Sequence, residues 1–264
     1  MADYETLILD RRDGVDWLTL NRPDRLNAMN GTLIDELRHY FESLVDARGV
    51  RVVVLRGAGR AFCAGADIKD TEAGQLDDPH EGLRLQRRYS GVILAMRRCP
   101  QPVISLIHGA ASGGGFSLAL ASDVRIAATS ARMNAAFIRI GFSGADMGSS
   151  YFLPRLVGLS NASELLLTGR FVDAERALRI GLVSDVVPDD ELEAAGRALA
   201  DDMMATGPLG LRATKEALTV NIDSELDAAV ALEDRHQILC AMGPDVREGM
   251  RAFLEKRRPQ YGQG

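Results

Sequence analysis

Apolar positions along the chain fall into two rhythms that take turns. Leu7 to Asp10 and Val15 to Leu20 are short apolar runs joined through Arg12-Asp13-Gly14, which predicts a β-hairpin. Between Asn30 and Ala47 the pattern changes: Leu33, Leu37, Phe41, Leu44 and Val45 lie at helical spacing, and Gly49 ends the run. Val52 to Leu55 is an unbroken apolar strand, of the kind buried on both faces.

The alternation then repeats. A helix is expected from about Glu81 to Arg98, stopped by Pro100 and Pro102, followed by a strand from Val103 to Ile107. Glycines open a helix that runs through Ala121, and a strand covers Val124 to Ala127. A loop with glycines at 141, 144, 148 and 158 follows, then helices near Ser160 to Thr168 and Asp173 to Ile180, then a strand from Val183 to Val187. Strand and helix in turn, with continuously apolar strands, predict an α/β fold with largely parallel pairing.

From Asp189 onward the strand signal is gone. Four helical segments are expected: Asp189 to Ala205, Pro208 to Val220, Glu225 to Cys240 and Pro244 to Arg257. The reading is therefore two regions, 1–195 as an α/β core and 196–264 as a helical region. Helices added to a finished core often pack against a neighbouring subunit.

Composition narrows the function classes. In 264 residues, 46% hydrophobic and 26% charged is ordinary globular composition, and a net charge of -6 argues against a general nucleic-acid surface. The amino end lacks the pattern of a secretory signal, and no apolar stretch reaches the length of a membrane span. Cys63, Cys99 and Cys240 are an odd, widely spaced set, so reduced thiols and a cytoplasmic location are expected.

The candidate chemistry sits at two turns of small residues. Ala61-Phe62-Cys63-Ala64-Gly65-Ala66-Asp67-Ile68-Lys69 follows one strand, and Ser112-Gly113-Gly114-Gly115-Phe116-Ser117 follows another and opens a helix. Small residues let two backbones approach, and a helix start leaves amides unpaired, so N–H groups from both turns could converge on one developing oxyanion, such as that of a thioester. The run from Gly109 to Gly115 is no dinucleotide fingerprint, because the G-x-G-x-x-G spacing is missing, and no Gly-Lys-Ser or Gly-Lys-Thr follows to make a P-loop.

Taken in order, these residues resemble the enoyl-CoA hydratase/isomerase (crotonase) superfamily. The resemblance rests on Leu20-Asn21-Arg22-Pro23-Asp24-Arg25-Leu26-Asn27-Ala28-Met29, the turn Ala64 to Asp67, the glycines at 113 to 115, Leu166-Leu167-Thr168-Gly169, Ala177 to Val183 and the run from Glu248 to Arg257. It covers nearly the whole chain. It implies the ClpP/crotonase-like α/β spiral of repeated β-β-α units, with a helical carboxyl-terminal region that builds trimers, often paired into hexamers.

The resemblance also implies an acyl-CoA thioester as substrate, with coenzyme A part of that substrate and no separate cofactor or metal. By position the oxyanion-hole amides are those of Ala66 and Gly114. Contacts to CoA fall at Arg25 and Leu26, along Ala64, Asp67 and Ile68, and at Phe253 and Lys256 reaching over from a neighbouring subunit. An aromatic ring suits adenine and a cation suits phosphate, although Lys256, Arg257 and Arg258 also suit a helix carboxyl end.

Two departures bear on the reaction. The positions at which hydratases of the family carry glutamates, two residues after the last glycine of the run and four before Gly141, hold Ser117 and Phe137. Neither can act as a carboxylate base, and a positioned base contributes roughly 10² to 10⁴ in rate. The remaining candidate is Asp146, in Gly141-Phe142-Ser143-Gly144-Ala145-Asp146-Met147-Gly148. Anchored from Leu153-Pro154-Arg155, the family's isomerase aspartate falls on Asp146; anchored from Gly141, Ala145 takes that place. Asp146 reads either as a base or as a helix N-cap.

Double-bond isomerisation is thus favoured over hydration. The alternatives are a non-catalytic acyl-CoA-binding protein and another reaction of the superfamily, thioester hydrolysis or carbon–carbon cleavage. Ser117 has no nucleophile elbow, His108 and Cys63 read as structural, and Arg84, Arg87 and Arg88 read as a solvated helix face. The segment from Ile68 to Arg98 is expected to set the acyl-tail pocket. Met96, Phe137, Phe142 and Met147 read as core or pocket lining.

Overall fold

The computed structural model describes residues 3–47, 49–69 and 78–262. Residues 70–77, inside the segment expected to set the acyl-tail pocket, lie outside the described residues.

The hairpin opens the fold. β1 (Leu7–Arg12) and β2 (Val15–Leu20) pair antiparallel, joined by Asp13 and Gly14 with φ of 51° and 81°. Two consecutive positive φ angles match the twist of the flanking strands, which is why a short polar residue and a glycine stand there. β3 (Val52–Gly57), β4 (Val103–Ile107), β6 (Val124–Ala128) and β9 (Asp185–Val187) then add in parallel, in the order β1-β2-β3-β4-β6-β9.

Both faces of this sheet are covered, which accounts for the unbroken apolar strands. Leu18, Leu20, Val53, Leu55, Val103, Ile107 and Ala127 face a core shared with α1 (Gly31–Ser43), α2 (Pro79–Arg98) and α3 (Gly114–Ala121). Val15, Trp17, Val52, Val54, Ile104, Leu106, Ile126 and Ala128 face the other way, against Leu192 and Ala200 of α6 (Leu192–Met204). At Gly196 a Cβ would stand 2.7 Å from the Leu106 methyl groups, so α6 lies directly on the sheet. The expected division at residue 195 falls inside this helix.

Three short strands form a second sheet that periodicity did not predict. β5 (Ala110–Ser112) runs parallel to β7 (Arg132–Asn134), which pairs antiparallel with β8 (Val172–Asp173). Two or three residues are too few to carry a period of two. The expected glycine loop is also shorter than read from sequence: α4 (Ser149–Thr168) begins at Ser149 and passes through Pro154 and a break at Gly158, with φ 76° and ψ 159°.

The rest is helical: α5 (Ala174–Arg179), α7 (Pro208–Asn221), α8 (Leu226–Met242) and α9 (Pro244–Leu254). Lys215 fastens α7 to the body, with its Nζ 2.7 Å from the Gln101 carbonyl and 3.0 Å from Asp123 Oδ2. Among the described residues, none of those in α8 is buried.

Candidate active site at two small-residue turns

Strand-like pairing continues past β4 and stitches the two turns together. Cys63 N donates to the Ala110 carbonyl at 3.0 Å, and Ser112 N donates to the Cys63 carbonyl at 2.9 Å. A third segment joins from the amino end: Met29 N donates to Gly65 O at 2.7 Å, and Asp67 N to Met29 O at 2.9 Å. At Gly65, with φ of 97°, a Cβ would stand 2.8 Å from Ser112 O and 3.5 Å from Gly114 N. At Gly115 it would stand 2.1 Å from Cys63 O. Glycine at these positions is what lets the turns touch.

The amides of Ala66 and Gly114 have no hydrogen-bond acceptor among the described residues, whereas Gly113 N donates to Asn134 O at 2.9 Å. Gly114 is the first residue of α3, where N–H groups have no partner within the helix. Ala66 is exposed and Gly114 is buried. The Gly114 side is apolar, for a Cβ there would meet Met29 Cε at 2.0 Å and Met147 Sδ at 3.2 Å.

Met147 brings Asp146 to the same place. The Asp146 carboxylate is not the cap of α4, whose N-cap is Gly148 with no side-chain cap bond. Its Oδ1 instead accepts from Met147 N at 2.7 Å and from Gln86 Nε2 of α2, and Oδ2 accepts no hydrogen bond among the described residues. Burial pushes its pKa up from the ordinary carboxylate value, against the lowering by those two bonds.

The two positions that depart from the hydratase pattern also face this site. Ser117 is fully buried and donates its hydroxyl hydrogen to the Asp146 main-chain carbonyl at 3.2 Å. Phe137 is half-buried, and a Cβ on Gly113 would meet its Cε1 at 3.3 Å. The space beside the second turn is therefore filled by a ring and a short hydroxyl.

Of the other expected contacts, Ala64 N donates to Leu26 O at 3.0 Å, which places Leu26 beside the first turn. Arg25 and Ile68 are exposed. Asp67 is different: its carboxylate is buried 3.0 Å from Arg22 Nη1, and its N–H is bonded to Met29, so its side chain holds the turn from inside. Phe253 and Lys256 are exposed at and beyond the end of α9, and among the described residues no hydrogen bond or ion pair joins them to the turns.

The residues read as structural are engaged. His108 Nε2 lies 2.9 Å from the Gly59 carbonyl, and Arg88 pairs with Asp35. Cys63 is fully buried, and burial pushes its thiol up to about 12, so it is no thiolate at neutral pH. Gln86, which reaches Asp146 across 60 positions of sequence, carries no signal in the sequence. Among the described residues no cluster of three potential metal ligands occurs, and no helix is long and apolar enough to cross a membrane.

The fold of this α/β protein sets the Gly65–Ala66 turn against Gly114 and packs Met147, the neighbour of the half-buried Asp146, at the same glycine. Similarity to known proteins makes the class specific. The profile of the enoyl-CoA hydratase/isomerase family matches residues 10–264. The chain is 42% identical to the "Probable enoyl-CoA hydratase echA12" of Mycobacterium leprae (strain TN) over 97% of this chain and 89% of that protein. It is 36% identical to the 1,2-epoxyphenylacetyl-CoA isomerase of Escherichia coli (strain K12), over 94% of this chain and 95% of that protein. The solved structure of an enoyl-CoA hydratase from Bacillus anthracis superposes with a TM-score of 0.93 at 34% identity, covering 98% of this chain and 100% of that one. The chain belongs to the enoyl-CoA hydratase/isomerase family, has its crotonase fold, and is an enzyme of that family.

Proposed function

We propose that this enzyme moves a carbon–carbon double bond in an unsaturated acyl-CoA thioester, with Asp146 as its single base. The observation that carries the reading is the half-buried Asp146 carboxylate, next in the chain to the Met147 that packs at Gly114, while by the family resemblance Ser117 and Phe137 hold the positions at which a hydratase would place its glutamates. One carboxylate suffices for an allylic shift. It takes a proton from carbon 2 of a 3-enoyl thioester and returns it at carbon 4, or the reverse.

The dienolate between the two transfers carries its charge on the thioester oxygen. The Ala66 and Gly114 amides, which have no acceptor among the described residues, would donate to it, and each such donor is worth about 3 to 4 kcal/mol of barrier. The chemistry needs no separate cofactor, since the thioester itself acidifies the proton. Arg25, Leu26 and the backbone of Ala64 to Ile68 would receive the CoA moiety.

The outward face of the helical region supports assembly into trimers. Leu226, Met242, Phe253 and Leu254 are each at least three-quarters exposed in the single chain, at 75%, 78%, 84% and 78%. A cavity of about 730 Å³ lies between the start of α7 and the α8–α9 junction, away from the turns. Packing of a second copy would bury these side chains and bring Phe253 and Lys256 toward a neighbour's CoA.

Incubating the protein with 2-enoyl-, 3-enoyl- and 3-hydroxyacyl-CoA, and following ultraviolet absorbance, tests the reaction. Interconversion of the first two without the third is expected. Full turnover by an Asp146→Asn variant would end the assignment of the base.

A further inference from the structure

Asp146 is held from one side only. Oδ1 accepts both hydrogen bonds, from Met147 N at 2.7 Å and from Gln86 Nε2, while Oδ2 accepts none among the described residues. The second donor comes from a different element. Gln86 lies on α2, and seven residues on, the same face of that helix carries Ile93, whose Cγ2 is 3.6 Å from where a Cβ on Gly148 would stand. One stripe of α2 therefore lies over the turn from Asp146 to Gly148.

We propose that Gln86 is a positioning residue for Asp146: with the Met147 amide it fixes the carboxylate through Oδ1 and leaves Oδ2 as the oxygen that takes and returns the proton. This rests on Asp146 being the base. A single carboxylate that both removes and delivers a proton has to present the same oxygen to two carbons of one bound chain. A carboxylate held by its own neighbour's amide alone can swing about its Cα–Cβ bond; a second donor from α2 stops that rotation. A misplaced reacting group forfeits about a hundredfold in rate, so the orientation matters to turnover.

The same bond favours the ionised base. Around Asp146, α2 presents Gln86, α3 presents the Ser117 hydroxyl to its carbonyl, and Ser149 of α4 accepts from its N–H at 3.0 Å. Among the described residues the influences on its pKa are burial, which raises it, and the two hydrogen bonds, which lower it; no charged side chain takes part. Losing the Gln86 donor removes a lowering influence, so the base protonates at higher pH.

The test compares wild-type protein with Gln86→Leu, Gln86→Glu and Asp146→Asn, measuring kcat and KM for 3-enoyl-CoA isomerisation across pH. Position 86 is exposed, and Leu, Glu and Gln have similar helix propensity, so the variants keep the fold. Gln86→Leu is expected to lower kcat about tenfold with KM little changed, and to move the acidic limb of the profile up by roughly one pH unit, the worth of one hydrogen bond to the ionised form. Gln86→Glu, with a like charge at the same place, is expected to move it further. An inactive Asp146→Asn beside a Gln86→Leu profile that overlays wild type would overturn the role of Gln86 alone. Full activity in Asp146→Asn, or no isomerisation by the wild-type protein, would overturn the base and the positioning role together.

Discussion

The hydroxyl of Ser117 donates to the main-chain carbonyl of Asp146 across 3.2 Å, so the helix that begins at Gly114 is tied directly to the turn that carries the carboxylate. In the proposed reaction this hydroxyl is a strut and not an acid. Ser117→Ala is expected to destabilise the protein by about 1 kcal/mol, the net worth of one buried hydrogen bond. Isomerisation should survive within about tenfold, as measured by kcat, because the hydroxyl moves no proton. A loss of several powers of ten would show that Ser117 takes part in the chemistry.

Adjacent glycines should separate folding from turnover. At Gly115 a Cβ would be 2.1 Å from the Cys63 carbonyl, a backbone atom that cannot give way, so Gly115→Ala should lower the melting temperature sharply. At Gly114 the obstruction is Met29 Cε at 2.0 Å, the end of a flexible side chain. Gly114→Ala should therefore fold, yet displace the proposed oxyanion donor and reduce kcat by about 10² to 10³. Calorimetry and initial rates on the two variants check this.

The half-buried Asp146 carboxylate predicts an exchange of stability for activity. Asp146 has a pKa above its ordinary value, so the folded chain binds its proton more tightly than the unfolded chain does. That contribution to stability is present at low pH and is lost as pH rises through the unfolded and then the folded pKa, leaving the ionised group a net burden at neutral pH. Asp146→Asn, neutral at every pH, should melt at a higher temperature than wild type at pH 7 while losing turnover. The acidic limb of the wild-type rate profile should lie above the ordinary aspartate value.

Buried Lys215 and partly buried Asp123 form an ion pair at 3.0 Å, and Asp123 also accepts from Arg97 Nη1 at 2.9 Å and from Val103 N at 2.8 Å. Removing one partner strands the other, so Asp123→Asn should destabilise by about 3 to 5 kcal/mol in urea unfolding. Lys215→Met should be milder, because Asp123 keeps Arg97 and the Val103 amide as partners.

Thiol labelling offers a further check. Cys63 and Cys99 are buried, with pKa raised by that burial, whereas Cys240 is half-buried. Iodoacetamide should modify Cys240 first, with Cys63 and Cys99 reacting only after unfolding, as read by peptide mass.

The main sheet was legible because its central strands are rich in apolar residues: β2 and β4 lie as expected at Val15–Leu20 and Val103–Ile107. The segments that came as corrections are those in which local pattern and tertiary role part company. β5, β7 and β8 are defined by partners far away in sequence, and the first half of α4 is disguised by Pro154 and Gly158. The two turns could be found because close backbone approach demands small residues in a row. Asp146 read equally as cap or base until Gly148 took the N-cap position, and Gln86 was invisible because one glutamine on a polar helix face looks like any other.

The outward row on α8 and α9 has a consequence for handling the protein. A lone copy exposes Leu226, Met242 and Phe253 to water, so dilution should make the chain melt earlier and render it prone to clump. Its sturdiness would then be a property of how many copies share the solution, not of any one of them.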